Sequence, residues 1–440
     1  MSNSIDNINW KEINRLALPA IIAGIAEPVI SLVDTAVIGQ LGTTELGGVG
    51  VGASLFTLIM WVLAQTKSAI SAIVSKAVGA NNLKSLKSFI PQALIMNFIL
   101  GASVMIFALL LSVPIFKLYN AQGDLLNVAN SYFHIRAFGL PIGLLVFGIF
   151  GVFRGLQNTS WAMIISFVGA TVNVVLDIIL VFGIEGIVPS FGVEGAAWAS
   201  VVSQFIMLAL AVRYLYKKTD FQLIQVVKIH PKIKSLLKMS FDLFIRAIAL
   251  NIAFYAGTSL ATSLSDEHVA AFTIGVNIWL FSSFFIDGYS NAGNALAGKL
   301  SGRNNFNLLL KVTHKLLKIN VFIGALLGLT YALGYKLIGS FFTDDELVLE
   351  IFTTSFWLII ISQPINAIAF TLDGIFKGLG KTAFLRNLLL GATFLVFIPS
   401  VAMFHTFTPG LIGIWVSFIL WMSFRGFPIY IKLKSIVRNA

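Results

Sequence analysis

The sequence predicts an all-α polytopic membrane protein, with about twelve transmembrane helices in two pseudo-symmetric six-helix bundles. Three observations predict this fold class: the composition, the number of long apolar segments, and a set of landmarks that recurs between the two halves. Hydrophobic residues make up 57% of the 440 residues, charged residues only 11%, and the mean hydropathy is +0.90. A soluble domain carries about a quarter charged residues, so the composition indicates a lipid environment.

The apolar segments are long enough to cross a bilayer, which requires roughly 20 mainly apolar residues for each helix. Ala93–Ser112, for example, contains no charged residue. We interpret every segment as a helix, because in lipid only helices and closed barrels satisfy the backbone, and barrel strands would alternate in polarity. The twelve segments fall near residues 13–39, 47–74, 88–115, 126–151, 160–183, 192–215, 236–263, 270–297, 308–334, 349–375, 383–405 and 410–431.

The chain divides near its midpoint into two related halves. The longest polar interruption, Lys217–Lys238, predicts an N-terminal lobe at 1–217, a cytoplasmic linker at 218–235 and a C-terminal lobe at 236–440. Six spans in each half make the repeat parallel, with the two lobes related by an axis along the membrane normal. Three landmarks recur 223 residues apart: Gly79–Asn82 as Gly302–Asn305, Pro141 as Pro364, and Phe153–Leu156 as Phe376–Leu379.

The 30 lysine and arginine residues give the chain a net charge of +11 and predict its orientation. Most of them fall in alternate loops, and the opposite loops receive only Lys117 and Lys336. By the positive-inside rule, both termini are therefore expected in the cytoplasm. A nucleic-acid partner is not expected, because that would require basic residues gathered on one face.

Several chemical classes are excluded or disfavoured. The chain has no cysteine, which excludes disulfides, thiolate metal sites and cysteine nucleophiles. The N-terminus lacks the basic start and cleavage site of a signal peptide. The five histidines show no ligand spacing, and neither a phosphate-binding glycine loop with lysine nor a serine-nucleophile motif is present. We therefore predict that the protein is not an enzyme and needs no cofactor.

Carboxylates inside the apolar segments are the candidate functional residues, since a charge within the bilayer is costly. Glu27 and Asp34 lie on the first predicted helix and Asp177 on the fifth, where Asn173 shares its face. Two carboxylates and a carboxamide that face one cavity can hold a proton or a sodium ion. The alternatives are that Asp34 bonds the backbone beside a proline kink, and that Glu27 faces a water-filled interior.

A second set of ionisable residues lies in the C-terminal half. Arg246 on the seventh helix needs a partner inside the membrane, and we expect an ion pair with Asp287, Asp373 or Asp242. Arg136 in the N-terminal half also lies within a predicted helix, and we expect it to need a partner inside the membrane as well. For this set a structural role is favoured over a second transport site.

Three motifs, together with a set of residues in the C-terminal half, resemble the multidrug and toxic compound extrusion (MATE) family over nearly the whole chain. VDTAVIGQLG at 33–42 resembles the first-helix motif, NVVLDIILV at 173–181 the fifth-helix motif, and GVEGAAWAS at 192–200 the sixth-helix motif. Arg246, together with IDG at 286–288 and LDG at 372–374, indicates the DinF-like branch.

The resemblance implies two six-helix bundles that face each other and a secondary antiporter that works by alternating access. It implies export of small amphipathic organic cations or toxic xenobiotics in exchange for protons, with sodium as the alternative coupling ion. Asp34, Asn173 and Asp177 match family positions implicated in ion binding and would be the sodium ligands. Ser200 falls where a threonine often completes that site.

A monomer in a bacterial cytoplasmic (inner) membrane is expected, with the lipid bilayer as its surroundings. The alternative function is a flippase-type exporter of an amphipathic or lipid-linked anion, because related superfamily members share this architecture. A third hypothesis, a channel or membrane receptor, has no selectivity-filter signature in the sequence to support it.

Overall fold

The computed structural model describes residues 8–221, 223, 228–407 and 410–439, and for Glu27 and His405 the backbone alone. Over these residues the chain is almost entirely helical and contains no β-strand, only an isolated antiparallel bridge between Ile184 and Val188. The all-α prediction is confirmed.

The described N-terminal part contains eight α-helices and one 3-10 turn. They are α1 (Trp10–Gly39), α2 (Thr43–Leu63), α3 (Thr66–Gly79), the turn Leu83–Ser85, α4 (Leu86–Leu118), α5 (Gly123–Ala137), α6 (Gly139–Gly155), α7 (Ser160–Phe182) and α8 (Gly192–Lys218). Helix α1 is continuous through both of its prolines, Pro19 and Pro28.

The described C-terminal part contains eight further α-helices and one π-helical stretch. They are α9 (Lys232–Leu264), α10 (Asp266–Gly302), α11 (Phe306–Leu333), α12 (Tyr335–Ser340), α13 (Glu346–Gly378), α14 (Thr382–Gly391), the π-helix Ala392–Phe397, α15 (Ile398–Phe407) and α16 (Leu411–Arg438).

The number of spans agrees with the prediction of about twelve. Eleven helical segments among the described residues are long and apolar enough to cross a membrane, and the pair α5–α6 makes a twelfth if it is one span. This pair bends by 43°, so the predicted segment 126–151 is not one straight helix. Pro141 explains the break, because it has no N–H to donate to the carbonyl of Ala137.

The described residues form two compact units. The N-terminal unit is Ile22–Ala77 with Asn81–Lys238, and the C-terminal unit is residues 8–21 and Val78–Ala80 with 239–439. The first three turns of α1 therefore pack with the C-terminal unit. The division into lobes at 1–217 and 236–440 stays a prediction.

Each unit contains the same turns at positions 223 residues apart. Asn81 and Asn304 both have a positive φ, of 53° and 55°, and Gln157 and Gly380 have φ of 66° and 70°. The left-handed region is costly for most side chains, and asparagine is among those that tolerate it best. The pseudo-symmetry read from the sequence is therefore also present in the backbone.

Two close helix crossings recur with the same offset. A Cβ atom added to Gly101 on α4 would lie 2.6 Å from the Cα of Pro141 on α6. A Cβ atom added to Gly324 on α11 would lie 2.7 Å from the carbonyl oxygen of Gln363, which precedes Pro364 on α13. Only glycine permits this approach. Helices α6 and α13 therefore pack backbone to backbone against α4 and α11, respectively.

The C-terminal unit has an aromatic core beside the π-helical stretch. Phe254, Phe272, Phe418 and Trp421 belong to this core or pack against it. The Nε1–H of Trp421 donates to Thr393 Oγ1 at 3.2 Å, so the wider π-turn is held by a buried indole. A π-helical stretch departs from the 3.6-residue period of an α-helix, and the sequence pattern does not reveal it.

Candidate functional site

Two carboxyl groups meet inside the N-terminal unit, Asp34 on α1 and Asp177 on α7. Asp177 is fully buried, and the Asp34 Oδ1 atom is also shielded from solvent. The two groups lie within hydrogen-bonding reach of each other. Because ionised carboxylates only accept hydrogen bonds, this contact becomes a hydrogen bond when one of the two carries a proton.

The oxygens of this acid pair have few other partners. Asp34 Oδ1, both carboxylate oxygens of Asp177 and Asn173 Oδ1 are buried without a hydrogen-bond donor among the described residues. Asn173 uses its Nδ2 instead, which donates to Ser200 Oγ on α8 at 3.4 Å. Buried acceptors without a donor are costly, and a proton or cation shared by these oxygens would relieve that cost.

The structure thus brings together four of the five residues proposed as ion ligands: Asp34, Asp177, Asn173 and Ser200. Their role in ion binding stays a prediction. The fifth, Glu27, lies on α1 seven residues before Asp34, and its side chain is outside the described residues. Among the described residues no cluster of three or more histidines or acids could hold a metal ion.

Arg136 on α5 lies near the acid pair and does not form the ion pair expected from the sequence. Within the described part of the chain it has no carboxylate within 4 Å, and its Nη1 atom is buried without a partner. Its guanidinium lies 3.8 Å from the ring centroid of Phe56. A cation over an aromatic face is stabilised by the ring quadrupole, which offsets part of the missing ion pair.

A cavity of about 130 Å³ adjoins these residues within the N-terminal unit. Its polar wall includes Asn173, Ser200 and Gln204, and its apolar wall includes Phe56 and Met207. Pockets for drug-sized ligands measure about 300–1,000 Å³, so this cavity suits a few water molecules or an ion.

Gln204 is a cavity residue that the sequence reasoning missed. Its Oε1 atom is buried without a donor, and it lies close to Arg136, where Gly139 leaves room for both side chains. The signal was available, because Gln204 lies four residues after Ser200 and therefore on the same helix face.

The C-terminal unit contains a separate cluster of charged residues. Arg246 Nη2 lies 2.7 Å from Asp373 Oδ1, and Lys377 Nζ lies 2.9 Å from Asp373 Oδ2. Of the three partners considered for Arg246, the structure shows Asp373. Asp242 pairs instead with Arg386 at 2.5 Å and accepts a hydrogen bond from Thr382 at 2.9 Å.

Arg425 on α16 joins this cluster, although the sequence analysis named neither it nor Lys377 among the candidate residues. Arg425 is buried, with its guanidinium 5.6 Å from the Phe370 ring centroid and 4.9 Å from that of Trp421. Its Nη2 atom has no hydrogen-bond partner among the described residues, and Asp287 contributes a second negative charge nearby. Lys377 lies two residues beyond the predicted segment 349–375, whereas Arg425 lies within the predicted segment 410–431.

The comparisons with known proteins agree with this architecture. The MatE family model matches residues 19–179 and 243–402, which is one match in each half. The chain is 27% identical to Protein DETOXIFICATION 42 of Arabidopsis thaliana, over 94% of this chain and 90% of that protein. It is also 27% identical to DNA damage-inducible protein F of Escherichia coli (strain K12), over 87% of this chain and 83% of that protein.

Solved structures share the fold. A structure described as the outward-facing conformation of a multidrug resistance MATE family transporter of the MOP superfamily superposes with a TM-score of 0.90. It is 21% identical in sequence and covers 98% of this chain and 96% of its own. Since the family model covers most of its length, in both halves, the chain belongs to the MATE family and is a membrane transporter rather than an enzyme.

Proposed function

We propose that this protein exports organic cations and other toxic amphipathic compounds by alternating access, in exchange for protons bound at Asp34 and Asp177. The observation that carries the proposal is the acid pair: two adjacent carboxyl groups in the N-terminal unit, of which Asp34 Oδ1 and both oxygens of Asp177 are buried without a protein donor. Relatives described as multidrug resistance transporters support the substrate class.

A shared proton would couple protonation of the acid pair to the arrangement of α1 and α7. With one proton between them, Asp34 and Asp177 hold α1 against α7 through a hydrogen bond. Without it, two adjacent buried carboxylates repel each other, because their interaction is poorly screened in a low-dielectric site. Loss of the proton therefore favours a different arrangement of α1 and α7. A ligand shifts such an equilibrium only by binding the two states differently, so substrate and proton would compete through this arrangement.

Sodium is the alternative coupling ion, because the same oxygens are hard ligands. Asp34, Asp177 and Asn173 Oδ1 could each supply an oxygen, with Ser200 Oγ beside them. A proton needs only the two carboxyl oxygens already in contact, whereas a metal ion needs several more ligands. We therefore propose protons.

The proposed setting is the cytoplasmic membrane of a bacterium, with a monomer whose two termini lie in the cytoplasm. Bacterial relatives such as DNA damage-inducible protein F support the membrane, and the distribution of lysine and arginine supports the orientation.

Ethidium efflux from proteoliposomes tests the proposal. The purified protein is reconstituted, and an imposed proton gradient or sodium gradient is used in separate experiments on the wild type, Asp34→Asn and Asp124→Asn. Asp124 is exposed in the first turn of α5, so its variant is the matched control for loss of one carboxylate. We expect the proton gradient alone to drive efflux in the wild type and Asp124→Asn, and no gradient to drive it in Asp34→Asn.

Two results would overturn this proposal in different ways. Efflux driven by sodium alone would assign the site to sodium. Failure of both gradients to move ethidium, in vesicles shown to contain folded protein, would remove organic-cation export from consideration.

The second candidate is export of an amphipathic anion, and the cluster in the C-terminal unit favours it. Arg246, Lys377 and Arg425 supply three positive charges against the two carboxylates of Asp287 and Asp373. The unpartnered Nη2 of Arg425 could donate to a substrate carboxylate. In the same vesicles, efflux of carboxyfluorescein that is lost in Arg425→Gln would support this function over the first.

A further inference from the structure

A long apolar groove runs along the C-terminal unit between α11, α13 and α16, with a volume of about 740 Å³. Its walls include Phe322 and Ala325 of α11, Ile365 and Ile368 of α13, and Gly426 and Phe427 of α16. Phe322 and Phe427 expose 62% and 70% of their surface. In a membrane-spanning unit such a surface faces hydrocarbon, so the groove is shaped for a chain rather than for water.

One end of the groove is basic. Lys318 and Tyr430 line this end, and both are at least partly exposed. The Tyr430 hydroxyl lies 3.1 Å from His314 Nε2, and Lys434 Nζ lies 4.6 Å from the centroid of the Tyr430 ring. These four side chains form a cluster of donors, here called the basic end of the groove.

No acidic residue offsets this charge on the two helices that supply it. Neither α11 nor α16 contains an aspartate or glutamate, whereas they carry seven lysines and arginines between them. Six of these lie toward the same end of the groove as Lys318: Lys311, Lys315, Lys318, Lys432, Lys434 and Arg438. By the positive-inside rule this is the cytoplasmic end.

We propose that the groove is a binding site for one anionic phospholipid of the cytoplasmic leaflet. An acyl chain lies along the apolar walls, and the phosphate lies at the basic end, where Lys318, Lys434 and the Tyr430 hydroxyl can donate to it. A zwitterionic lipid would fill the apolar part equally well but would leave the lysines uncompensated. Charge complementarity therefore selects the anionic lipid. The site is distinct from the acid pair, and the proposal does not depend on the coupling ion.

Bound lipid would also support the charged cluster on the other side of the same helices. Met422 lines the groove, and its sulfur accepts a hydrogen bond from Arg425 Nη1 at 2.9 Å. Leu372 lines the groove and directly precedes Asp373. A filled groove would hold both residues in place, so occupancy should raise thermal stability.

Native mass spectrometry of the purified protein tests the site, with phosphatidylglycerol and phosphatidylcholine of identical acyl chains added in turn. Three variants separate the parts of the site. Lys318→Gln removes a headgroup donor. Gly426→Leu fills the groove, and an added Cβ there meets only ordinary contacts of 3.4 Å or more. Lys336→Gln removes an exposed lysine at the opposite end of the unit and is the control.

We expect the wild type to retain one phosphatidylglycerol more tightly than phosphatidylcholine, and Lys318→Gln to lose roughly fivefold of that preference. Gly426→Leu should lose both lipids, together with the thermal stabilisation that phosphatidylglycerol gives. Lys336→Gln should match the wild type. Equal retention of the two lipids by the wild type would overturn the proposal. So would an unchanged lipid count in Gly426→Leu, or loss of ethidium binding rather than lipid binding in that variant.

Discussion

At the scale of single residues, the two halves place their ionisable groups at different positions of a shared framework. Asp373, the centre of the charged cluster, corresponds across the 223-residue offset to Phe150, which lines the cavity of the N-terminal unit. The acid pair therefore belongs to one half and the cluster to the other. Such asymmetry within a symmetric fold indicates that the two sets of charges have different roles.

The cluster should contribute strongly to stability. Asp373→Asn leaves the buried Arg246 and the partly exposed Lys377 without their carboxylate, and breaking a buried pair such as Arg246–Asp373 costs about 3–5 kcal/mol. We expect a clear drop in the thermal unfolding midpoint of the purified protein. Adding Arg246→Met should restore part of it, because one unpaired charge is removed.

Glu12→Gln is the matched comparison, since the Lys299–Glu12 pair at 3.0 Å is partly exposed. A pair of that kind contributes about 0–1 kcal/mol. If Asp373→Asn were no more destabilising than Glu12→Gln, the cluster would not be structural.

The sequence identified Asp34, Asp177 and Asn173 because charged or amide groups are rare within apolar segments. It did not identify Gln204, Lys377 or Arg425 as members of a site. Lys377 lies one residue before the end of α13, where a long side chain can reach either the interface or the interior, whereas Arg425 lies in the middle of α16. The four-residue spacing of Asp373 and Lys377 on α13 could have been read from the sequence, whereas Arg425 lies on α16, which only the tertiary fold brings close to Asp373.

At the scale of helices, the repeated glycine crossings leave no room for a side chain at either position. A methyl group at Gly101 or Gly324 would overlap backbone atoms of the facing proline helix, and backbone cannot move aside as a side chain can. We expect Gly101→Ala and Gly324→Ala each to destabilise the protein by about 1–3 kcal/mol.

The thermal unfolding midpoint checks this expectation. Gly50→Ala is the control, because an added Cβ there has no atom within 4 Å and alanine is the better helix former. Equal midpoints for Gly50→Ala and Gly324→Ala would show that the crossing relaxes without cost.

The helices themselves were predictable, and their irregularities were not. Segment length and hydropathy give the spans, because lipid allows few other structures. The 43° bend between α5 and α6 follows from Pro141, yet continuous α1 also contains two prolines. Whether a proline breaks a helix depends on what packs against the freed carbonyl, and that information is tertiary.

At the scale of the whole molecule, the absence of cysteine makes the proposed orientation directly testable. Lys84, in the turn after α3, and Gln122, before α5, are both exposed and should lie on opposite sides of the membrane. We expect an impermeant maleimide, applied to intact cells, to label Gln122→Cys and not Lys84→Cys.

Permeabilised cells provide the control, in which both variants should react. Labelling of Lys84→Cys in intact cells, without labelling of Gln122→Cys, would reverse the orientation and move the basic end of the groove to the outer leaflet.

The turns shared by Asn81 and Asn304 have an evolutionary consequence. They are what duplication of a six-span segment would leave, with one copy of the turn in each half. Because six is even, the second copy enters the membrane in the same orientation as the first, so two separate ancestral copies could already pair as a parallel homodimer. After fusion into one chain, the two copies could acquire different residues at equivalent positions. One copy could keep an acid pair and the other acquire a cluster of cations, which no homodimer could do.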